Sequence, residues 1–240
     1  MDTFDLFGEL STKEQAEIEA RQKTLKQNIQ DKLNALPQDP LKRTMAENRT
    51  IFTHQRQSLF SEPGIHRQLL TPTECQHILD VCEQQKEWTT DRHSAFATTD
   101  IPIRSNAQLA HLEQVVKDRL FPELALFYHF KQSDLEFRDI FLVKYSATAQ
   151  KGLKIHTDGC LFSLTLLISD PNDFEGGGTY YQSIDKVIHL NQGDVAYHDA
   201  RVMHSGIDIT KGSRYILVAF IDTVDTIEKD KRANKTMLRK

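Results

Sequence analysis

The C-terminal half of the sequence contains a series of short segments with the two-residue periodicity of β-strands. Residues 135–145 form the first segment, and they place Phe141, Val143 and Tyr145 on one face. Residues 161–168 are almost continuously apolar, as in a strand that is covered on both sides. Five further strands are predicted, over residues 179–182, 186–190, 194–198, 202–206 and 213–222. Short, closely spaced strands with Gly and Asn turns indicate a sandwich or barrel.

Helical patterns precede the strands. Residues 11–36 are rich in Glu, Lys, Gln and Ala, contain neither Gly nor Pro, and carry a thin apolar stripe at helical spacing. A second helix begins at Thr71-Pro72-Thr73-Glu74, a capping box with proline at the first helical position, and extends to about Glu87. A third helix is predicted over about 106–120. We therefore predict an α+β protein in which N-terminal helices flank a jelly roll, or double-stranded β-helix.

These patterns divide the 240 residues into three parts. Residues 1–60 are predicted to be a helical extension, residues 61–228 the main domain, and residues 229–240 a basic tail that we interpret as a solvated end. Within the extension, residues 41–60 are polar and are predicted to be a loosely held connector. The helix over residues 11–36 has two interpretations: a solvated helix lying on the domain, or a helix that binds a partner or a second copy.

The charge, the apolar runs and the cysteines of the sequence limit which partners and which cellular compartment we expect. The net charge of −4 gives no indication of nucleic acid or acidic lipid, and the longest apolar run, residues 161–168, is far too short to span a membrane. The acidic N-terminus, with no apolar segment after it, does not predict a secretory signal. Cys75, Cys82 and Cys160 show neither a disulfide framework nor metal-site spacing. We expect a reducing compartment, the cytosol or the nucleus.

One residue separates His156 from Asp158 in a segment, residues 153–158, that we predict to be a strand. Side chains two residues apart on a strand point to the same face, so an imidazole and a carboxylate would converge as metal ligands do. On a helix the same side chains would point about 200° apart. The pair is therefore a candidate metal site if the segment is extended.

His204 lies on a later predicted strand and would complete a set of two histidines and one carboxylate. This set is the facial triad that leaves open positions on a non-haem Fe(II) ion. His198 also lies on a predicted strand and is a second candidate for the distal ligand. We interpret His189 as structural or exposed, and Cys160 as a packed thiol.

Arg214 stands ten residues after His204, across a predicted turn at residues 210–212. A hairpin at this turn would place Arg214 on the strand beside His204. The arginine shares its strand face with apolar residues, so it is predicted to be buried, and a buried arginine needs an anionic partner. Its planar guanidinium fits a carboxylate through two parallel hydrogen bonds. No acidic residue of the strand shares this face before Asp222, so a ligand is a candidate partner.

In this order and spacing, the residues resemble the 2-oxoglutarate- and Fe(II)-dependent dioxygenases. Within that family the sequence is most similar to the catalytic domains of prolyl 4-hydroxylases and procollagen-lysine hydroxylases. The resemblance covers roughly Gln68 to Val224. It rests on Tyr145 and on residues 153–158, 174–178, 193–194, 204–206 and 214–220. Taken alone, Gly176 to Gly178 form a turn, because no Lys-Ser/Thr follows them as in a phosphate-binding loop.

The resemblance implies roles for four residues. His156, Asp158 and His204 are expected to bind iron, and Arg214 is expected to bind the distal carboxylate of 2-oxoglutarate. Prolyl 4-hydroxylases usually carry lysine at the position of Arg214. The arginine therefore tilts the resemblance toward the lysyl type and leaves the substrate open.

Three further residues match positions that often contact the cosubstrate in this family. Tyr145 matches a position whose hydroxyl assists the arginine, although a core role is the alternative. Ser163 and Thr165 match a further cosubstrate contact. The only tryptophan, Trp88, and the nearby Thr98-Thr99-Asp100 are candidates for the substrate entrance or for a structural loop.

The implied activity is that of a dioxygenase that uses Fe(II), 2-oxoglutarate and dioxygen, with ascorbate as a candidate auxiliary reductant, and releases succinate and carbon dioxide. The expected product is a hydroxylated C–H bond on a protein prolyl or lysyl side chain. The alternatives are hydroxylation of a small metabolite, oxidative demethylation of nucleic acid, and a cupin-like metal enzyme that does not use 2-oxoglutarate. A nucleic-acid substrate is disfavoured because the chain is mildly acidic overall, whereas proteins that bind nucleic acid normally carry a basic face. A non-catalytic interaction module carried by the helix over residues 11–36 is the remaining hypothesis.

Overall fold

The computed structural model describes residues 10–85, 88–93 and 96–237, without the side chains of residues 234–237. Its helices are α1 (Thr12–Asn34), α2 (Met45–Leu59), α3 (Pro72–Gln84), α4 (His111–Tyr128) and α5 (Val224–Met237). The first strands are β1 (Gly64–His66), β2 (Asp100–Pro102), β3 (Leu135–Ser146), β4 (Leu153–His156) and β5 (Phe162–Leu167). The later strands are β6 (Phe174–Gly176), β7 (Thr179–Tyr181), β8 (Lys186–Ile188), β9 (Val195–Asp199), β10 (His204–Gly206) and β11 (Ile209–Thr223). The predicted mixture of helices and strands is confirmed.

The strands form two antiparallel sheets. The larger sheet has the order β1-β9-β5-β11-β3-β2, with β6 paired to β11, and the smaller has the order β4-β10-β7-β8. The two sheets face each other, as the ring of Tyr181 on β7 lies 5.2 Å from the ring of His198 on β9. An inner layer of side chains therefore lies between the sheets, as the alternating pattern of the sequence predicts.

Helices α2 and α4 pack on the outer face of the larger sheet. Tyr128 on α4 stacks on Phe162 on β5 with ring centroids 4.1 Å apart. Phe52 on α2 packs edge-on against the same Phe162 at 5.0 Å. These aromatic contacts join two helices to the strand that runs behind the candidate site, so the helical layer and the site share one scaffold.

The prediction of a loosely held connector over residues 41–60 is wrong. Residues 45–59 form α2, which begins with a capping box between Thr44 and Glu47 and buries Ile51 and Phe52. Phe60, immediately after the helix, is buried in the same core. The segment is polar because only one narrow face of a surface helix is buried. The core of the main domain therefore extends N-terminally beyond residue 61.

The other helices follow the sequence patterns with two differences. Helix α1 matches the prediction and buries no side chain, whereas α4 is displaced from the predicted 106–120 and continues through Pro122 to Tyr128. The predicted end of α3 at Glu87 lies outside the described residues, as do residues 1–9 and 238–240. Helix α5 includes residues 229–237 of the segment predicted to be a basic tail. Within the described part of the chain, every helix is too short or too polar to cross a membrane.

The predicted hairpin at residues 210–212 is also wrong. These residues lie inside β11, which pairs with β3, β5 and β6. His204 lies on the smaller sheet, where β10 pairs with β4 and β7. Arg214 and His204 are therefore on different sheets, and they meet only because both face the space between the sheets.

Candidate metal centre

Strand β4 ends at His156, so Asp158 lies just beyond the strand that was predicted to include it. The carboxylate nevertheless returns to the imidazole, with His156 Nε2 3.4 Å from Asp158 Oδ1. The backbone N–H of Asp158 donates a hydrogen bond to the carbonyl of Ala200 at 2.9 Å. A contact from another part of the chain, and not strand alternation alone, therefore orients the aspartate.

His204 enters the site through sheet pairing. In the antiparallel pair of β10 and β4, His204 lies directly opposite His156, and the two ring centroids are 4.3 Å apart. Directly opposite residues on adjacent strands share a face. His204 Nε2 lies 3.5 Å from Asp158 Oδ2, and the ligand atoms of all three residues lie within 4.8 Å of one another. The structure thus brings together the three predicted metal ligands.

Hydrogen bonds set the tautomer of both histidines. Nδ1 of His156 lies 2.7 Å from the carbonyl of Lys154, and Nδ1 of His204 lies 3.0 Å from the carbonyl of Val202. A carbonyl oxygen only accepts, so each Nδ1 carries a proton and donates it. Nε2 of each ring therefore faces the common point beside Asp158 and is the nitrogen available to a metal ion, as in metal-binding histidines.

The protonation states suit a cation. Burial, assisted by the neighbouring His198, lowers the pKa of His204. Burial acts the other way on Asp158, but the hydrogen bond with His156, the nearby His204 and the Ser163 hydroxyl together lower the pKa of this carboxyl. Although burial opposes the shift, the hydrogen bond with Asp158 raises the pKa of His156, so a metal ion would compete with a proton for this Nε2. An ionised Asp158 and a neutral His204 are the states that metal coordination requires. Two nitrogens and one carboxylate oxygen form the donor set of the Fe(II) facial triad, so the residues present fit that ion.

His198, the alternative distal ligand, lies behind His204. Its ring centroid is 4.4 Å from that of His204, and its Nδ1 lies 3.0 Å from the carbonyl of Asp199. Among the described residues, the group whose ligand atoms converge contains His204 and not His198. The geometry therefore favours the original assignment of His204.

Ser163, predicted to contact the cosubstrate, has a different contact. Its hydroxyl donates a hydrogen bond to Asp158 Oδ2. The thiol of Cys160 lies 3.3 Å from the same hydroxyl and donates to the carbonyl of Phe162, and burial raises the pKa of this thiol well above its ordinary value. Ser163 thus supports the candidate ligand, and Cys160 is a packed thiol as expected.

Arg214 is buried opposite the histidines. Its side chain is 3% exposed, and it forms no ion pair with any residue in the described ranges. Its contacts are a 3.4 Å hydrogen bond from Nη1 to the carbonyl of Gly178 and the ring of Tyr145, which lies 5.9 Å from the guanidinium carbon. Tyr145 is its direct cross-strand neighbour in the pair of β3 and β11. A guanidinium held in this way has unused donors that suit a carboxylate.

The glycine run beside Arg214 explains how the arginine fits. Gly176, Gly177 and Gly178 all have positive φ, a region that L side chains rarely adopt. A Cβ on Gly177 would lie 3.2 Å from Cδ of Arg214. The predicted turn is corrected in part, because Phe174–Gly176 form β6 and only Gly177 and Gly178 lie between β6 and β7. The glycines leave room for the arginine side chain between the sheets.

Comparisons with known proteins agree with this geometry. No family model matches the chain. Over 174 residues it is 28% identical to the multifunctional procollagen lysine hydroxylase and glycosyltransferase LH3 of Rattus norvegicus, which covers 64% of this chain and 22% of that protein. The chain thus spans less than a quarter of the length of this curated relative.

Two solved structures show the likeness of fold. The viral collagen prolyl hydroxylase of Paramecium bursaria Chlorella virus-1, in its 2-oxoglutarate complex, superposes with a TM-score of 0.52 at 15% identity, covering 68% of this chain and 96% of that one. An oxidoreductase of the 2OG-Fe(II) oxygenase family from Burkholderia pseudomallei gives 0.52 at 12% identity, covering 75% and 91%. This chain has the fold of the 2-oxoglutarate- and Fe(II)-dependent oxygenases. The resemblance stated from the sequence is confirmed at that level.

In this oxygenase fold, a cavity of about 380 Å³ contains the three candidate ligands and Arg214. Thr165 on β5 and Tyr145 on β3 line it, and their contacts with the cosubstrate stay predictions. Aromatic and aliphatic side chains also line it, among them Phe96, Phe141, Val218 and Phe220, and Arg92 and His93 pack against Phe141 beside them. The cavity therefore combines Arg214, the cluster of candidate metal ligands and an aromatic region.

The loop before β2 supplies residues that the sequence did not single out. Phe96 stacks on His156 with centroids 4.6 Å apart, and His93 lies 4.6 Å from Phe141. Arg92 pairs with Asp100 at 2.7 Å and with Asp139 at 2.6 Å, which fixes the loop to β2 and β3. No periodicity marks such a loop, so composition and spacing gave no signal for it.

Two other candidates lie away from the cavity. Trp88 packs against Tyr215 at 5.8 Å, on the opposite face of β11 from Arg214. His189 is exposed and does not line the cavity. Of the candidate entrance residues, Thr98 does line the cavity.

Proposed function

We propose that this protein is a 2-oxoglutarate-dependent dioxygenase that hydroxylates a C–H bond of a protein prolyl or lysyl side chain. The observation that carries the proposal is Arg214, a buried cation without a carboxylate partner among the described residues. It faces the same cavity as a convergent His156, Asp158 and His204. A buried charge is costly unless it is paired, so the site is built for an anionic ligand beside a metal ion.

The protein's own residues would bind and orient the reactants. The two imidazoles and the carboxylate would hold Fe(II) on one side, leaving positions open for ligands. Arg214 would bind the distal carboxylate of 2-oxoglutarate, with Tyr145 beside it. Bound there, iron with 2-oxoglutarate and dioxygen supplies oxidation of a substrate C–H bond, with succinate and carbon dioxide as co-products. The aromatic side chains of the cavity would limit the access of water to the reacting carbon.

We also propose that the two facing sheets form a double-stranded β-helix. Support comes from the pairing of β10 between β4 and β7, from the β5-β11-β3 core of the larger sheet, and from the oxygenase fold of the solved relatives. In this arrangement the two candidate histidine ligands lie on the smaller sheet, Asp158 lies just after β4, and Arg214 lies on the larger sheet.

The residues that line the cavity indicate which kind of side chain the substrate presents. The rat relative is named as a lysine hydroxylase and the viral one as a collagen prolyl hydroxylase. Asp158 is the only carboxylate among the described residues that line the cavity, and it belongs to the metal site. A lysyl ammonium has no free counterion there, whereas a neutral ring packs well against Phe96, Phe141 and Phe220. The geometry therefore favours a neutral side chain such as prolyl.

A turnover assay tests the proposal. The protein is incubated with Fe(II), 2-oxoglutarate and ascorbate, and with matched peptides that differ only in carrying proline or lysine. Succinate release coupled to a gain of one oxygen atom on the proline peptide is the expected result. Oxygen gain on the lysine peptide alone would reverse the substrate preference. Oxygen gain on a metabolite or a methylated oligonucleotide, with neither peptide modified, would replace the protein substrate altogether.

A further inference from the structure

The turn between β9 and β10, residues 199–203, connects to two of the three candidate metal ligands through backbone carbonyls. The carbonyl of Ala200 accepts the N–H of Asp158 at 2.9 Å. The carbonyl of Val202 accepts Nδ1–H of His204 at 3.0 Å. The conformation of this turn therefore determines where Asp158 and the imidazole of His204 lie, and both would have to converge on one metal ion.

Asp199 stabilises the turn through hydrogen bonds to residues of the turn itself. Its carboxylate Oδ1 accepts the N–H of Arg201 at 3.0 Å, and its own carbonyl accepts the N–H of Val202 at 2.9 Å. The carbonyl of Asp199 also lies 3.0 Å from Nδ1 of His198. The Asp199 side chain does not line the cavity, so its influence on the site passes through the turn.

Arg56 on α2 completes this support from outside the sheet. Its Nε donates to Asp199 Oδ2 at 2.7 Å, and its Nη2 donates to Oδ1, giving a two-pronged ion pair. The two side chains are only 11% and 4% exposed. The guanidinium carbon also lies 5.1 Å from the ring centroid of Phe52, one turn earlier on the same helix. Both partners are therefore held rigidly, as a bidentate geometry demands.

We propose that Arg56 is a positioning residue for the metal centre, acting through Asp199 and the turn over residues 199–203. This inference rests on the metal-binding part of the proposed function. A buried ion pair contributes little net stability relative to apolar packing, but it fixes geometry because both charges must stay paired. Residues that orient metal ligands from outside the coordination shell change metal affinity by about 10- to 100-fold. Arg56 is one contact further from the metal ligands than such residues, so we expect its loss to change metal affinity by about tenfold, near the lower end of this range.

The same helix offers a matched control. Arg49, two turns before Arg56, forms an ion pair with Asp225 on α5 at 2.7 Å, with side-chain exposures of 34% and 47%. It also donates to Thr223 Oγ1 at 2.7 Å. Replacing Arg49 weakens the docking of α2 without touching the turn over residues 199–203. Arg49→Leu therefore separates a general loosening of the helix from a specific effect on the metal centre.

The test is a titration of the metal-free full-length protein with Co(II), which reports affinity and coordination geometry through its visible absorption without any turnover. Arg56→Leu should raise the dissociation constant about tenfold and alter the absorption spectrum. Arg49→Leu should leave both within about twofold of the wild type. Arg56→Lys, which supplies a cation without the planar fork, should fall between wild type and Arg56→Leu.

A second pair of variants keeps the test decisive if Arg56→Leu does not fold. Asp199→Asn removes the charge that Arg56 binds while keeping an acceptor for Arg201. It should weaken Co(II) binding, and the double variant Arg56→Lys/Asp199→Asn should be no weaker than Asp199→Asn alone, because the two residues act as a unit. Equal affinities and spectra for Asp199→Asn, Arg56→Lys and wild type would overturn the inference. Absence of Co(II) and Fe(II) binding in the wild type would instead refute the proposed function.

Discussion

The hydroxyl of Ser163 donates its hydrogen bond to Oδ2 of Asp158, the same oxygen that lies 3.5 Å from Nε2 of His204. A residue on β5 of the larger sheet thereby orients a carboxylate that lies beside a histidine of the smaller sheet. The sequence resemblance suggested a cosubstrate contact for Ser163, but its donor is already used. The serine therefore orients the candidate ligand Asp158, and its contact with the cosubstrate stays a prediction.

Replacing Ser163 with alanine should weaken Fe(II) binding about 10- to 100-fold, the range found when an outer partner of a metal ligand is removed. The carboxylate of Asp158 would lose its donor from β5 and turn more freely. Fe(II) affinity can be measured by competition with a chelator. Thr165→Val provides the control, because Thr165 lines the cavity from the same strand without contacting Asp158. If Ser163→Ala changes the affinity for 2-oxoglutarate but not for Fe(II), the original interpretation of Ser163 is restored.

The two candidate distal histidines can be separated by parallel substitutions. His204→Ala should lower Fe(II) affinity by at least about 100-fold, since it removes a ligand and not merely its support. His198→Ala should lower it less than about tenfold, because its Nδ1 is used by the Asp199 carbonyl and it lies outside the convergent group. Isothermal titration with Fe(II) under anaerobic conditions compares them directly. The reverse order of effects would assign the ligand to His198.

Arg214 is predicted to support function at a cost in stability. Burial lowers the pKa of its guanidinium, although the group stays charged, and the described residues give it no anion. Arg214→Met keeps much of the volume and removes the unpaired charge, so thermal stability without ligand should be equal to or higher than that of the wild type. The variant should lose about 2–5 kcal/mol of binding free energy for 2-oxoglutarate.

The readout for Arg214→Met is thermal unfolding with and without 2-oxoglutarate in the presence of Fe(II). A ligand that binds only the folded state raises Tm, and this rise should occur in the wild type and vanish in the variant. Arg49→Leu, which removes an arginine that lies outside the cavity, should retain the rise. A large drop in Tm for Arg214→Met without ligand would mean that the arginine stabilises the fold and is not reserved for an anion.

Local patterns in the sequence predicted the candidate metal ligands and an inward-facing, buried Arg214. The spacing of His156 and Asp158 was informative although the strand ends between them. Arg214 was placed correctly on an inward face because alternation holds along β11, even though the supposed hairpin does not exist. Short-range periodicity thus identified which side chains face inward, but not which sheet carries them.

Contacts between distant residues could not be predicted in this way. Arg92 meets Asp139 across 47 positions, and Arg56 meets Asp199 across 143. Charged residues at such separations look like ordinary surface residues in a single sequence. Helix α2 was missed for a related reason, because its two buried apolar residues are adjacent and give no visible period. Its capping box at Thr44 and Glu47 was the one usable signal.

The capping box of α3 gives a pH-dependent prediction. Glu74 accepts hydrogen bonds from the Arg119 side chain and from both the backbone N–H and the hydroxyl of Thr71. These bonds lower the pKa of Glu74 from 4.5 to about 2 despite some burial. The pKa is lower in the folded state, so this carboxylate stabilises the protein above about pH 4.5, and the stabilisation is lost as the pH falls toward 2. Glu74→Gln should therefore lower Tm by about 1–4 °C at neutral pH, with a difference that shrinks in acid.

Glu14 provides the control for Glu74. It forms the same capping box with Ser11, but α1 buries no side chain, so Glu14→Gln should leave the Tm of the domain unchanged at every pH. Differential scanning calorimetry from neutral pH to pH 3 resolves the two variants. A pH-independent effect of Glu74→Gln would show that the neutral hydrogen bonds of the cap, and not the charge, carry the stabilisation.

The N-terminal segment should divide into a dispensable helix and an essential one. Phe52 on α2 is 1% exposed and packs against Phe60, Tyr128, Phe130 and Phe162. Phe52→Ala should cost about 3–5 kcal/mol of unfolding free energy, because the ring fills a rigid aromatic cluster that cannot collapse. Deleting residues 1–34 removes α1, which buries nothing in the described structure, and should leave that free energy within error of the wild type. Urea denaturation followed by fluorescence measures both. A large loss of stability on deletion would mean that α1 belongs to the folded domain, whereas a mild effect of Phe52→Ala would return residues 45–60 to the role of a loose connector.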